Sequence, residues 1–202
     1  MRLEFLHATL LNKNNEPWFT DVDFTVANGE MACVCNSNPD VLEHLLAVVL
    51  GYQKLSKGYV SVNGEWLNPQ SAVAYRQLMA FLPTHLQQLP YDSVWQMLES
   101  PFTLACNKTK FDRDLFAAEL NSKGIDTQWL GEKPEKVGEP MLQYALATAL
   151  LQLRKPIVLL SQPDLSENSK MWQVIKQLRQ EDSLLLCTTV APPSNCDKII
   201  EI

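Results

Sequence analysis

Polar and apolar positions alternate near the N-terminus of this chain. In Thr20–Val26, Val22, Phe24 and Val26 fall on one face and Asp21, Asp23 and Thr25 on the other. A period of two predicts a half-buried antiparallel strand. LEFLHATLL, ending at Leu11, predicts its partner, with KNNEP as the turn between them. After the Asn28-Gly29 turn the pattern changes. MACVC, Met31–Cys35, is apolar at every position, which predicts a strand covered on both faces. A helical period follows. Asn38 is placed to cap it and Pro39 to occupy its first position. Asp40 and Glu43 lie near its positive end, Leu42, Leu45, Leu46 and Val49 form the apolar stripe, and Gly51 stops it.

Further along, YVSVNG (residues 59–64) predicts a strand and turn, AVAYRQ (72–77) a short helix, and LMAFL (78–82) a strand. Residues 86 to about 137 carry helical pieces broken by Pro and Gly, a helical insert. Trp95, Met97, Phe102, Phe111, Phe116 and Trp129 serve as its core, some of them as a groove for a partner. QYALATALLQL is an apolar helix, IVLLS a buried strand, and SKMWQVIKQLRQE an amphipathic helix with Met171, Ile175 and Leu178 on one stripe. SLLLCT and KIIEI are the last strands. Strands alternating with helices after an initial hairpin predict an α/β fold with a mostly parallel sheet covered on both sides. Ligands in such sheets bind at the carboxyl ends of the strands.

Composition narrows this picture. A length of 202 residues fits one domain, and 46% apolar residues support an ordinary core. The net charge is −6 and no basic cluster exceeds two residues, which excludes nucleic acid as an expected partner. The five cysteines show no CxxC pair, and Cys33 and Cys35 share one strand face, so all five are expected as reduced, small core residues. His7, His44 and His85 lack metal-ligand spacing, and no metal site is expected. The N-terminus lacks signal-peptide architecture. The longest apolar run, Leu45 to Leu50, falls far short of the roughly 20 residues of a membrane span. Direct membrane insertion is not expected.

At this level the chain resembles the nucleotide-binding domain of ABC transporters over nearly its whole length. FTVANGEMACVC is similar to that family's lead-in to the phosphate loop, and Met31 to Gly51 matches the phosphate-loop segment without a gap. GYQKLSKGYVSVNG, MAFLPT, YALATALLQLRKPIVLLSQP, LLLCTT and CDKIIEI resemble the succeeding segments in order, with one extra residue within LLQLRKP. The resemblance implies a P-loop NTPase-like three-layer core with a mostly parallel sheet, N-terminal antiparallel strands and the helical insert. It implies one ABC ATPase-like domain spanning residues 1–202, with a helical subdomain at about 86–137.

The residues at the family's functional positions depart from its pattern. Asn36, Pro39 and Val41 stand where glycines expose backbone N–H groups to phosphate, with Ser37 and Asn38 between them. Leu42 replaces the phosphate-binding lysine, and Glu43 and His44 replace the hydroxyl pair that holds Mg²⁺. Thr84 stands at the Q-loop glutamine, with Gln87 and Gln88 out of register. The signature region reads Lys136-Val137-Gly138-Glu139-Pro140, with Val137 at its serine. Ser161 and Gln162 replace the Walker B Asp-Glu, Asn168 the D-loop aspartate, and Thr189 the switch histidine. Glutamine cannot act as a general base, and serine is a poor magnesium ligand. No aromatic is evident near Leu11–Asn15 to stack on adenine.

The expected function is a catalytically inactive homologue, a pseudo-ATPase with no cofactor, acting as scaffold or regulatory subunit. The resemblance implies a membrane permease subunit or an active ABC ATPase as partner, and a cytoplasmic location peripheral to the membrane through that partner. Two alternatives stand beside it. One is a divergent ATP-binding subunit holding ATP and Mg²⁺ by unconventional contacts. The other is a homodimeric interaction module outside transport.

Overall fold

The computed structural model covers residues 1–202. The chain divides into two compact units, one formed by residues 1–81 with 155–202 and the other by residues 82–154.

The first unit begins with β1 (Arg2–Leu11) and β2 (Pro17–Ala27), paired antiparallel with Phe5 opposite Phe24 and Ala8 opposite Val22. The alternation in β2 is interrupted once. Phe19 and Val22 are both buried, three residues apart, because Asp21 takes a left-handed conformation (φ 52°) where the ladder shifts register. His7 on β1 has φ 47° at the same irregularity. Its Nδ1 lies 2.9 Å from Asp21 and 3.2 Å from Asp23. Strand pairing thus gathers three exposed groups that linear spacing kept apart, an imidazole flanked by two carboxylates.

β3 (Met31–Cys35) is buried at all five positions, as an uninterrupted apolar run requires. The helix α1 (Pro39–Val49) follows, then β4 (Lys57–Val62), β5 (Glu65–Leu67), α2 (Ala72–Arg76) and β6 (Met79–Leu82). β4 pairs with β1, and its Gly58 has no alternative: a Cβ there would meet the His7 carbonyl oxygen at 2.2 Å. The short strand β5 was not anticipated from the sequence. It completes an antiparallel sheet in the order β2-β1-β4-β5.

After the second unit the chain adds β7 (Ile157–Ser161), α6 (Lys170–Leu178), β8 (Leu184–Thr189) and β9 (Lys198–Glu201). These build a five-stranded sheet in the order β6-β7-β8-β3-β9, whose β7–β8, β8–β3 and β3–β9 ladders are parallel. One core joins both sheets to α1: Leu3, Phe5 and Leu10 from β1, Leu42, Leu45, Leu46 and Val49 from α1, and Ala32, Val34, Leu159 and Leu186 from the parallel sheet.

One expectation is corrected here. The cysteines are not all reduced: Cys33 in β3 is bonded to Cys196, 163 residues later, with Cα atoms 6.3 Å apart. Sequence distance hid the pair. Parallel pairing of β9 beside β3 brings the segment before β9 onto the Cys33 face. Cys35, Cys106 and Cys187 remain free thiols.

The second unit holds α3 (Val94–Glu99), α4 (Arg113–Ser122) and α5 (Glu139–Leu150), linked by 3₁₀ turns. Ser93 and Asp112 cap α3 and α4 through their side chains. Trp95, Phe102, Phe111 and Phe116 pack ring against ring, with Phe116 fully buried, so these aromatics form the unit's core as expected. α5 is buried along every residue from Leu142 to Leu150. No helix in the chain is long and apolar enough to cross a membrane.

Candidate functional site

The turn between β3 and α1 is the natural anion site of such a fold. Here several of its donors are taken by groups of the protein itself. Asn38 caps α1 from an extended conformation (φ −96°), and its Oδ1 accepts from the Asp40 N–H at 3.0 Å. The Asn36 Oδ1 accepts from the Asn38 N–H at 2.8 Å. Pro39, at the first helical position, has no N–H to give. The Asn36 N–H donates to the Thr189 carbonyl at 3.3 Å, and its Nδ2 donates to the Ile202 carbonyl. Two asparagine side chains therefore take the N–H groups of Asn38 and Asp40.

Charge and shape agree with this capped turn. No lysine or arginine lies between Lys13 and Lys54. Asp40 stands in the first turn of α1. Leu42, at the lysine position, is fully buried in the core, with Val41 beside it at 6% exposure. Glu43 is exposed one turn into the helix. His44 turns away from the metal role. Its Nδ1 lies 2.8 Å from the Gln53 Oε1, and its ring packs tilted against Trp18 with centroids 4.1 Å apart. Trp18 follows the 13–17 turn by one residue, and only the approach of β2 to α1 brings it to His44.

The carboxyl ends of β3, β7 and β8 bring Asn36, Ser37, Asn38, Ser161, Gln162 and Thr189 to one edge of the sheet. Ser161 is buried and pairs in register with Thr188. Gln162 takes a left-handed conformation (φ 47°), and its N–H donates to the Thr188 carbonyl at 3.0 Å. Thr189 closes on itself: its hydroxyl donates to the Ala191 carbonyl at 2.9 Å and accepts from the Ala191 N–H at 3.4 Å. Beyond β7, the Ser166 side chain and then its N–H, 3.0 Å from the Asp164 carboxylate, hold that carboxyl below the usual range. Ser169 caps α6 by accepting from the Trp172 N–H. Residues 164–169 are thus a polar lead into a helix, as their sequence suggests.

Thr84, Val137 and Gly138 belong to the second unit. Thr84 sits half-buried in the bend after β6. Val137 and Gly138 form the approach to α5, with Gly138 at its N-cap. Residues set aside as out of register organise this region. Gln87 Nε2 donates to the Val137 carbonyl at 2.6 Å. The Glu139 carboxylate, in the first turn of α5, accepts from the Leu86 and Gln87 N–H groups at 2.8 and 3.1 Å. The signal was present as a glutamine pair near the Q-loop position, but linear register pointed to Thr84.

These elements build an α/β domain with the ABC ATPase fold, in which asparagine side chains take two N–H groups of the turn after β3. The comparisons agree with that class. No protein-family model matches the chain. The chain is 24% identical over 177 residues to the ABC transporter ATP-binding protein YtrE of Bacillus subtilis, covering 84% of this chain and 76% of that protein. Among solved structures, a putative ABC transporter ATP-binding protein from Pyrococcus furiosus superposes with a TM-score of 0.78 at 17% identity, covering 100% of this chain and 97% of the other. The dimeric ABC transporter cassette MJ0796 superposes with a TM-score of 0.73 at 19% identity, covering 93% and 87%. The chain has the fold of ABC transporter ATP-binding domains, the P-loop NTPase fold, and is similar to them over nearly its whole length.

Proposed function

We propose that this chain is a pseudo-ATPase, an ABC-type domain that kept the fold and serves as a scaffold or regulatory subunit of an ABC transporter complex. The observation that supports this reading is the capped turn: Asn36 and Asn38 take the Asn38 and Asp40 N–H groups, Pro39 has none to give, and Leu42 is buried in the core. Each charge-assisted hydrogen bond of a phosphate cradle contributes on the order of 1.5–3 kcal/mol. Removing one preorganised transition-state donor costs about 10²–10³ in rate. This chain lacks the lysine, the Walker B carboxylates, the signature serine and the switch histidine together. Its partners would be a membrane permease subunit or an active ABC ATPase, which would place it in the cytoplasm against the membrane. Calorimetric titration with ATP, ADP and ATP–Mg²⁺ tests the proposal. No binding is expected, and micromolar affinity would refute it.

Likeness to an ATP-binding protein favours a second reading, nucleotide held by unconventional contacts. Ser37, Asn38, Ser161, Gln162 and Thr189 supply the remaining polar groups. That reading requires a nucleotide-dependent rise in melting temperature that these substitutions abolish. A homodimer, the assembly of the MJ0796 cassette, would instead appear in sedimentation without permease or ATPase partners.

A further inference from the structure

The Cys33–Cys196 pair joins two places of different burial. Cys33 is fully buried in the centre of β3, the strand that leads into the Asn36–Asn38 turn. Cys196 is half-buried in the segment that begins after Thr189 and ends at β9. The far end of that segment is tied down without the disulfide. The Asp197 N–H donates to the Met31 carbonyl at 3.1 Å, and its carboxylate accepts from the Met31 N–H and pairs with Arg179 at 2.8 Å. The middle is not. Asn195 Nδ2 reaches the Leu165 carbonyl at 3.2 Å, but its Oδ1 is buried with no hydrogen-bond partner. A buried, unpaired oxygen opposes this placement, and the covalent bond next to it holds the placement in force.

We propose that Cys33 and Cys196 form a reversible thiol–disulfide clamp that fixes residues 190–196 against β3 of the parallel sheet when oxidised and releases them when reduced. The oxidant is a low-molecular-weight disulfide such as oxidised glutathione. The Cys196 thiolate attacks one of its sulfurs, the old S–S bond breaks, and one thiol leaves. The Cys33 thiolate then attacks the Cys196 sulfur of the mixed disulfide and expels the second thiol. Two protein thiols lose two protons and two electrons, and one disulfide becomes two thiols. A dithiol reductant reverses both steps.

The other thiols do not compete. Cys187 lies directly across the β3–β8 ladder from Cys33, where complete burial pushes its thiol far above the usual range. Burial, followed by the charge of Glu201, pushes Cys35 up as well. Cys33 differs from them in losing its cover when residues 190–196 move away, which exposes its thiol for ionisation and attack. In the reduced state Asn195 turns its oxygen to water and leaves Leu165, while Asp197 remains as the hinge. The clamp does not depend on whether the sheet edge holds nucleotide.

The test uses the whole chain, equilibrated natively with oxidised glutathione or with dithiothreitol. After quenching and denaturation, three of the five thiols should titrate in the oxidised sample and all five in the reduced one. Peptide mapping should find the 33–196 pair. Amide exchange of residues 190–196 should rise on reduction at least tenfold more than that of β9. A Cys196→Ser variant should exchange like the reduced protein under both conditions. Should that variant fail to fold, the two states of the unmodified chain still decide. Five free thiols after oxidation, a different pairing, or exchange indifferent to reduction would overturn the clamp.

Discussion

Asn38 was legible in the sequence as a helix cap, and its geometry follows the rule: extended backbone, side-chain oxygen on the Asp40 N–H. Replacing it by alanine should lower stability by about 1 kcal/mol, read from the denaturant midpoint with the slope unchanged. Leu42 looked like a lost lysine; its stronger constraint is full burial. Leu42→Ala should destabilise by about 2–5 kcal/mol in the same measurement. His7 was not legible as part of any group. Its hydrogen bond to Asp21, then the charges of Asp23 and Asp21, hold its pKa above the usual 6.5. An NMR titration should place its midpoint above 6.5, and Asp21→Asn should lower it. Because the folded pKa is raised, this interaction is fully present below pH 6.5 and is lost as pH rises through the folded value.

At the scale of elements, α1 and α6 were readable because one face of each meets a core and the spacing records it. The stripe Met171, Ile175 and Leu178 is buried, with Val174 added. The bulge in β2 was unreadable, because Asp21 suits a left-handed turn only where β1 and β4 impose one. The bond set of Glu139 was also hidden. A carboxylate in the first turn of a helix is ordinarily a dipole partner, but this one accepts two N–H groups from a turn fifty residues earlier. Glu139→Ala should leave those donors unpaired, costing about 1–3 kcal/mol. Amide exchange at Leu86 and Gln87 should accelerate, and Glu139→Gln should retain part of the protection.

For the whole molecule, the disulfide closes a loop of 163 residues. Constraining so long a loop in the unfolded chain stabilises the fold by about 3–5 kcal/mol in the chain-entropy account. Reduction should therefore lower the melting temperature by on the order of 10 °C in calorimetry. Apart from β5, the succession of strands and helices along the chain, the parallel sheet and the capped helix after β3 were legible in the sequence alone. They rest on local periods, turn residues and missing functional groups, which a linear text records. Tertiary structure decided what depends on distant segments meeting: Trp18 against His44, Gln87 on the Val137 carbonyl, His7 between two aspartates, and Cys33 bonded to Cys196. Such pairs leave no trace in spacing, because the chain that separates them is free to take any path until the sheets fix it.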